Sequence, residues 1–168
     1  MSSGIAGHNG NGIAEFSCRA VAGRGKAGGY VESSADEIER LTGWAPFPGT
    51  LNLVARVPVK LDPARAKTFG GGHRLVWPAR LNGIDVLVYR VKSLPDHVFE
   101  IVSPQRLRGV FDDAQLQDLT LVIDRSFIAR TGWLESLAWR LVWKGRETLY
   151  YSDDRYERRA RRIMRHFR

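Results

Sequence analysis

The sequence predicts a mainly β protein, in which a small barrel is followed by a helical extension. Three observations support this fold class. Short apolar runs bounded by turn residues recur between Glu15 and Ile123, a pattern typical of a series of short strands. The pair Asn82-Gly83 lies between two of these runs and is the strongest short-range signal for a β-hairpin. Helical patterns stay short until residue 124, which favours an all-β barrel core.

Local signals place the first elements in order. A strand over residues 15–22 leads into the glycine-rich segment 23–29, and Tyr30-Val31 is expected to resume extended structure. Residues 34–37 read Ser-Ala-Asp-Glu, a capping-box pattern that predicts a short helix ending at Thr42-Gly43.

The remaining barrel elements follow from apolar runs and from proline positions. Pro63 suits the first turn of a helix, where its missing N–H does no harm. The predictions are a strand over 51–59, a helical turn over 62–67, a hairpin over 75–91, a strand over 98–102, a helix capped by Ser103-Pro104 that runs to Phe111, and a strand over 119–123.

The composition is that of a soluble globular protein, with 168 residues of which 43% are hydrophobic and 26% are charged. A single cysteine, Cys18, excludes a disulfide framework, and no Cys/His cluster has the spacing of a zinc site. No apolar run is long enough to span a membrane, and the first residues lack the features of a signal peptide. We therefore expect a cytoplasmic protein with a flexible N-terminus over residues 1–15.

The net charge of +8 is concentrated near the C-terminus. Residues 125–168 contain 12 Lys and Arg against 5 Asp and Glu, whereas residues 1–124 contain 14 against 13. Only the segment 125–168 is therefore strongly basic, and a polyanion-binding function for the whole chain loses support.

Two helices are predicted in this basic extension. The apolar face of the first is expected to comprise Trp133, Leu134, Leu137, Ala138, Trp139, Leu141, Val142 and Trp143, with Gly145 as its stop. The second is capped by Ser152-Asp153-Asp154, and its apolar stripe is Tyr156, Ala160, Ile163 and Phe167. The helices either pack back onto the barrel or contact an anionic lipid, a nucleic acid or a partner protein.

The segment Pro46-Phe47-Pro48-Gly49-Thr50-Leu51-Asn52-Leu53 carries the first candidate chemistry. In a strand, Thr50 and Asn52 point to the same face because side chains alternate. A hydroxyl and an amide oxygen at this spacing can share a hard cation such as Mg²⁺, which takes phosphate oxygens and waters for its other positions. The same residues are also compatible with a type II turn at Pro48-Gly49 that leads into a buried strand.

Two further segments carry candidate chemistry. Glycines in the loop 23–29 let backbone N–H groups approach phosphate oxygens, although the loop is not a Walker motif and is equally compatible with a flexible surface loop. Glu100 could accept the proton of a reacting hydroxyl, or it could be an exposed carboxylate paired with Arg90. His97 is expected to be solvent-exposed rather than catalytic.

In this order, the glycine loop, the Gly-Thr-Leu-Asn segment and the Glu100 strand leading into Ser103-Pro104-Gln105-Arg106-Leu107-Arg108 resemble the CTP-dependent riboflavin kinases best known from archaea. The resemblance covers about residues 16–124, which it marks as the barrel domain, and leaves the extension 125–168 unmatched. It implies a small six-stranded cradle-loop barrel with short helices and with ligands held by loops over one end. It further implies transfer of phosphate from CTP to riboflavin, yielding CDP and FMN, with Mg²⁺ as cofactor. We expect a monomer.

The resemblance also implies roles for individual residues. Thr50 and Asn52 match the magnesium pair, while Asn52 and Glu100 are the expected catalytic residues. Glu100 is also expected to contact the flavin, and Ser93 would do so because Lys92 stands where the family has a threonine. The implied nucleotide-binding residues are Arg24, Gly25, Lys26, Ala27, Gly28, Gly29, Gln105, Arg106, Leu107 and Arg108.

Two departures keep other functions open. Ala27 stands at the family's third loop glycine, which predicts a loop shifted by one residue onto Gly28, and the segment 91–97 is rearranged. The chain could therefore be a non-catalytic barrel that binds flavin or nucleotide. Its basic extension also leaves open a nucleic-acid-binding barrel.

Overall fold

The computed structural model describes residues 12–23, 27–91 and 94–167. The strands in these residues are β1 (Ile13–Val21), β2 (Leu51–Ala55), β3 (Lys67–Phe69), β4 (Arg74–Leu81), β5 (Ile84–Arg90), β6 (Val98–Val102) and β7 (Leu119–Asp124). The α-helices are α1 (Ala27–Ser33), α2 (Ala35–Thr42), α3 (Leu107–Val110), α4 (Trp133–Val142), α5 (Leu149–Ser152) and α6 (Asp154–Met164). Short 3-10 turns occupy Pro63–Arg65, Gln115–Gln117, Arg125–Phe127 and Arg165–Phe167.

Six of the strands close into an antiparallel barrel in the order β4-β5-β6-β2-β1-β7, with β7 pairing back onto β4. The short strand β3 pairs with the first residues of β4. Alternate side chains point inward, so that Phe16, Leu53 and Leu121 belong to one continuous core. The predicted mainly β, six-stranded barrel is therefore confirmed.

The predicted hairpin is formed by β4 and β5. Asn82 and Gly83 have φ values of 47° and 84°, as a two-residue turn of this kind requires. The Asn82 side chain also accepts a hydrogen bond from the Thr120 amide at 2.7 Å, which ties the turn to β7.

Several element predictions in the first half of the barrel are wrong. Tyr30 and Val31 lie in α1 rather than in a strand, because Val31 is buried in a cluster that covers the outer face of β5. Helix α2 lies where it was predicted, but Ser34 makes no side-chain cap. Glu37 accepts a hydrogen bond from the Gly70 amide at 2.8 Å, so this acid binds another loop instead of completing a capping box.

Other predicted elements are shorter than expected. Strand β2 ends at Ala55, and Lys67 begins β3 instead of ending a helical turn. The helix expected from Ser103 begins only at Leu107. Ser103 instead closes a local turn, in which its hydroxyl donates to the Gln105 carbonyl and accepts from the Gln105 amide.

The extension packs back onto the outside of the barrel. Trp139, Trp143 and Ala160 share a buried cluster with Val54 of β2 and Val98 of β6. Helix α6 begins as predicted, since the Asp153 carboxylate accepts bonds from the first helical amides. Within the described residues, none of the helices is both long and apolar enough to cross a membrane.

The predicted apolar face of α4 is only partly correct. Ala138, Trp139 and Val142 are buried, whereas Trp133 and Leu141 remain 74% and 70% exposed. The helix therefore turns one half of its apolar surface to the barrel and the other half to solvent. The boundary between the barrel domain and the extension at residue 124 stays a sequence prediction. At the other end of the barrel, strand pairing begins at Ile13, within the range expected to be a flexible N-terminus.

His97 is fully buried, and its expected exposure is wrong. The centroid of its ring lies 4.7 Å from the centroid of the Trp143 ring. Its Nδ1 atom accepts a hydrogen bond from Trp139 Nε1. Because the indole can only donate, the proton of the imidazole is on Nε2, which donates to the Glu147 carbonyl. Burial lowers the pKa of His97 to about 3, so that a neutral ring joins the barrel to the extension.

Candidate active site

The floor of the candidate site is a row of three side chains on neighbouring strands. Asn52 in β2 lies opposite Glu100 in β6, and Glu100 lies opposite Tyr89 in β5. Directly opposed residues of antiparallel strands point to the same face. Since Leu53 and Phe99, which follow Asn52 and precede Glu100, belong to the barrel core, the row lies on the outer face of the barrel.

This row lines a cavity of about 470 Å³. Its volume is in the range of small-molecule pockets, roughly 300–1,000 Å³. The other lining residues are Gly23, Ala27, Gly28, Tyr30, Pro48, Gly49, Thr50, Val91, Leu94, Arg108, Tyr150 and Tyr151. The cavity thus brings together the predicted cation pair, the predicted acid and part of the glycine-rich segment on the outer face of the barrel.

The Asn52 amide is held from two sides. The Tyr151 hydroxyl in α5 donates a hydrogen bond of 3.1 Å to Asn52 Oδ1. On the opposite side, a Cβ atom built on Gly23 would overlap the Asn52 amide group. Glycine is therefore needed at position 23 because the backbone passes directly against this side chain.

The pKa of Glu100 is raised from 4.5 to about 7 by burial. A carboxylate with this pKa exchanges a proton readily near neutral pH, as a general base requires. Arg90, its alternative partner in the sequence, pairs with Asp96 at 3.6 Å and donates to the Val98 carbonyl. Arg90 does not pair with Glu100 because side chains alternate along a strand. Tyr89 is opposite Glu100 and shares its face, so Arg90, the next residue, points to the other face, into the barrel.

Thr50 and Asn52 offer neutral oxygens toward the same cavity. An amide oxygen has two lone pairs, so the bond from Tyr151 leaves one for a cation. In the part of the chain that the structure describes, no cluster of three or more His, Cys, Asp or Glu residues could hold a metal ion. The donor set fits a hard cation that brings phosphate oxygens of its own.

A smaller cavity of about 90 Å³ adjoins the first and shares Gly49, Thr50 and Arg108 with it. The segment from Gln105 to Arg108 lines this smaller cavity. The prediction that this segment forms the first turns of a helix capped at Ser103 is wrong, since α3 begins only at Leu107 and has four residues. Arg108 is instead oriented by a hydrogen bond of 2.7 Å to the Val21 carbonyl.

The glycine-rich segment is described only in part. Arg24, Gly25 and Lys26 lie outside the described residues, as do Lys92 and Ser93. The residues from Ala27 to Gly29 begin α1 instead of continuing a loop, which corrects the expected loop shift. Gly29 is exposed and does not line the cavity.

Sequence reasoning missed the tyrosines of the cavity. Tyr89 could have been found from the hairpin, because its register fixes which face each residue of β5 occupies. Tyr151 has no comparable local signal, since its contact with Asn52 spans 99 residues of sequence.

A larger groove of about 1,090 Å³ lies between the barrel and α4 and shares no lining residue with the candidate site. Arg19, Arg56, Arg140 and Lys144 line it. Glu147 forms an ion pair of 3.7 Å with Arg19 and offsets part of this charge. The groove is one basic surface on which a nucleic-acid-binding function could rest.

A family model for CTP-dependent riboflavin kinases, described as domain of unknown function DUF120, matches residues 20–123. No curated protein matches the chain. The matched segment contains the row from Asn52 to Glu100 and the Gln105–Arg108 segment, and it ends before the extension. Because the match covers more than half of the sequence, the chain belongs to the CTP-dependent riboflavin kinase family.

Proposed function

We propose that the chain transfers the terminal phosphoryl group of CTP to the 5′-hydroxyl of riboflavin and so produces FMN. Membership of the family supports kinase chemistry on these ligands. The observation in this chain that carries the proposal is the pair Asn52 and Glu100, which face one cavity from directly opposed strand positions.

Glu100 is the proposed general base. The hydroxyl oxygen of riboflavin attacks the terminal phosphorus, the bond from that phosphorus to the bridging oxygen breaks, and CDP leaves. Glu100 takes the hydroxyl proton, for which its pKa of about 7 is suitable. Phosphoryl transfer otherwise needs positioning and charge stabilisation, which the cavity walls can supply.

Thr50 and Asn52 are the proposed ligands of Mg²⁺, which when bound would neutralise phosphate charge. Both ligands are uncharged, so we expect the ion to bind tightly only together with the nucleotide. The Gln105–Arg108 segment adjoins Thr50 and is the proposed nucleotide contact. Tyr30, Tyr89 and Tyr150 line the cavity of about 470 Å³. Of these three, Tyr30 is exposed and offers aromatic surface against which the flavin ring can pack.

The test is FMN formation by the full chain from riboflavin, Mg²⁺ and each of CTP, ATP, GTP and UTP. We expect turnover, with CTP as the preferred donor. Glu100→Gln should lower turnover by at least about 100-fold, since it removes the proton acceptor. Asp85→Asn is the matched control, because Asp85 is an exposed β5 carboxylate paired with Arg80 and does not line the cavity.

Two outcomes would contradict the proposal. Saturable binding of riboflavin and CTP without FMN formation would identify a non-catalytic binding barrel. Binding of neither ligand, together with salt-sensitive binding of a nucleic acid that Arg140→Ala and Lys144→Ala weaken, would assign the function to the basic groove.

A further inference from the structure

The C-terminal extension supplies one wall of the candidate site. Tyr150 and Tyr151 of α5 line the same cavity as Asn52 and Glu100, although they lie beyond the segment that the family model matches. We propose that Tyr151 is a positioning residue for Asn52, and that the extension thereby completes the binding site of the barrel. The part of this inference that concerns a bound cation rests on the proposed function.

Helix α5 is held in place from within the extension. The Tyr150 ring is buried and packs edge-on against the Tyr151 ring, with centroids 4.8 Å apart. Arg161 of α6 donates a hydrogen bond of 3.0 Å to the Tyr150 hydroxyl. Arg161 is itself paired with the buried Glu157 one turn earlier. The position of the Tyr151 ring is therefore fixed by α6 as well as by its own short helix.

The extension is in turn fixed to the barrel by buried polar contacts. Trp139 donates to His97, and the His97 ring donates to the Glu147 carbonyl. Glu135 of α4 is buried and forms an ion pair of 2.9 Å with Lys60. These contacts join α4 and the segment before α5 to two loops of the barrel. Lys60 lies in the loop after β2, and His97 lies in the loop before β6. The Tyr151 hydroxyl consequently meets Asn52 at a defined position.

The contact determines which way the Asn52 amide faces. A terminal amide can rotate by half a turn, which exchanges its oxygen and its nitrogen. In the structure the oxygen faces the Tyr151 hydroxyl, while the nitrogen lies against Gly23. Removal of the hydroxyl would take away the donor that holds the oxygen on the Tyr151 side. A cation ligand of undefined orientation binds more weakly, because part of the binding free energy is spent on ordering it.

The first experiment measures cation binding with Mn²⁺ as the probe. Mn²⁺ is titrated into the full chain saturated with CTP, and its affinity is measured by electron paramagnetic resonance. Tyr151→Phe keeps the ring and should weaken Mn²⁺ binding roughly 3- to 10-fold, the effect of one hydrogen bond. Tyr156→Phe is the matched control, since this hydroxyl donates to the Val142 carbonyl and does not line the cavity. It should leave Mn²⁺ affinity unchanged.

A second experiment repeats the Mn²⁺ titration in a chain that carries Asn52→Ala, and tests whether Tyr151 acts through Asn52. In an Asn52→Ala chain, Tyr151→Phe should cause no further loss of Mn²⁺ affinity, because the two residues form one unit. An equal loss in both backgrounds would overturn the inference, since Tyr151 would then act on the ligand independently of Asn52. Wild-type affinity in Tyr151→Phe would overturn it as well.

A third measurement needs neither cation nor turnover. The side-chain amide resonances of Asn52 are identified in a ¹⁵N-labelled chain by their loss in Asn52→Ala. Tyr151→Phe should shift them, and Tyr156→Phe should not. Unchanged resonances in Tyr151→Phe would overturn the positioning role. If the wild-type chain binds no Mn²⁺ with CTP while the resonances shift as expected, the proposed function fails and the contact between the extension and Asn52 stands.

Discussion

The barrel and the extension are stabilised in different ways. The barrel closes on itself, and its alternating apolar side chains form one core that includes Phe16, Leu53 and Leu121. The buried cluster of the extension is completed only by barrel residues such as Val54 and Val98. The extension therefore depends on the outer wall of the barrel for its stability, whereas the buried residues of the barrel core all lie before residue 124.

This difference separates two kinds of residue at the candidate site. The row of Asn52, Glu100 and Tyr89 belongs to the barrel and carries the proposed chemistry. Tyr151 belongs to the extension and acts on that row from outside. Substitutions in the buried cluster of the extension should change stability before chemistry, whereas substitutions of Tyr151 and around Asn52 should do the reverse.

The largest expected effect on stability is that of Trp143→Ala. Trp143 is 1% exposed and packs against His97 and Tyr156, so its truncation should lower the free energy of unfolding by about 3–5 kcal/mol. Trp133→Ala removes the same type of side chain from a position where it is 74% exposed, and should change the free energy of unfolding by about 0.5 kcal/mol or less. Urea denaturation followed by circular dichroism measures both. Equal effects would show that the extension does not dock as described.

The next effect is on catalysis, in Gly23→Ala. The added methyl would overlap the Asn52 amide and displace it, and a displacement of about 1 Å can cost on the order of 100-fold in rate. Stability should change little, because the Asn52 side chain can move into the cavity. Gly109→Ala is the control, since a Cβ there meets no atom within 4 Å. Wild-type turnover in Gly23→Ala would argue against a role for the Asn52 orientation.

The sequence predicted the barrel better than the site. Short apolar runs and the Asn82-Gly83 turn are local signals, and they were sufficient for the hairpin and for a mainly β barrel. The number of six strands came from the family resemblance. The spacing of Thr50 and Asn52 was likewise sufficient to bring both to one cavity.

The errors arose where distant contacts decide the structure. His97 looked like an exposed loop residue because nothing near it in sequence reveals Trp139 and Trp143. Val31 was predicted as extended because its buried neighbours come from other elements. The same limit hid Tyr151, whose partner lies on the first half of the chain.

The third prediction concerns acid sensitivity at the junction of the two regions. Burial lowers the pKa of His97 from 6.5 to about 3, so the unfolded chain binds a proton more tightly than the folded chain between these values. The free energy of unfolding should therefore fall as pH decreases below 6.5, by about 2 kcal/mol at pH 5 from this residue. Urea denaturation of the wild-type chain and of His97→Gln at pH 7.5 and at pH 5 measures this change in the free energy of unfolding. An equal pH dependence in both chains would contradict the prediction.

The fourth prediction has the opposite sign and belongs to the barrel. Burial raises the pKa of Glu100 from 4.5 to about 7, so the folded chain binds the proton more tightly and the contribution of Glu100 to stability decreases as pH rises through this range. The ionised form is the proposed base, so kcat/KM, which follows the pKa of the free protein, should rise about 10-fold between pH 6 and pH 8.

Two measurements check the behaviour of Glu100. A pH profile of FMN formation should show half-maximal kcat/KM near the pKa of about 7. Glu100→Gln should have a higher free energy of unfolding at pH 8 than the wild-type chain, because no charge is then buried at this position. A flat wild-type profile, or a Glu100→Gln chain that is less stable at pH 8, would oppose the role of Glu100 as a buried base.

The smallest expected effect tests the solvent side of α4. Leu141 is 70% exposed, so Leu141→Ala should change the free energy of unfolding by about 0.5 kcal/mol or less. Its neighbour Val142 is 8% exposed and packs against the barrel cluster, so Val142→Ala should cost about 1–3 kcal/mol. Urea denaturation at two protein concentrations measures both. A large, concentration-dependent loss in Leu141→Ala would mean that a second copy covers this face, in conflict with the expected monomer.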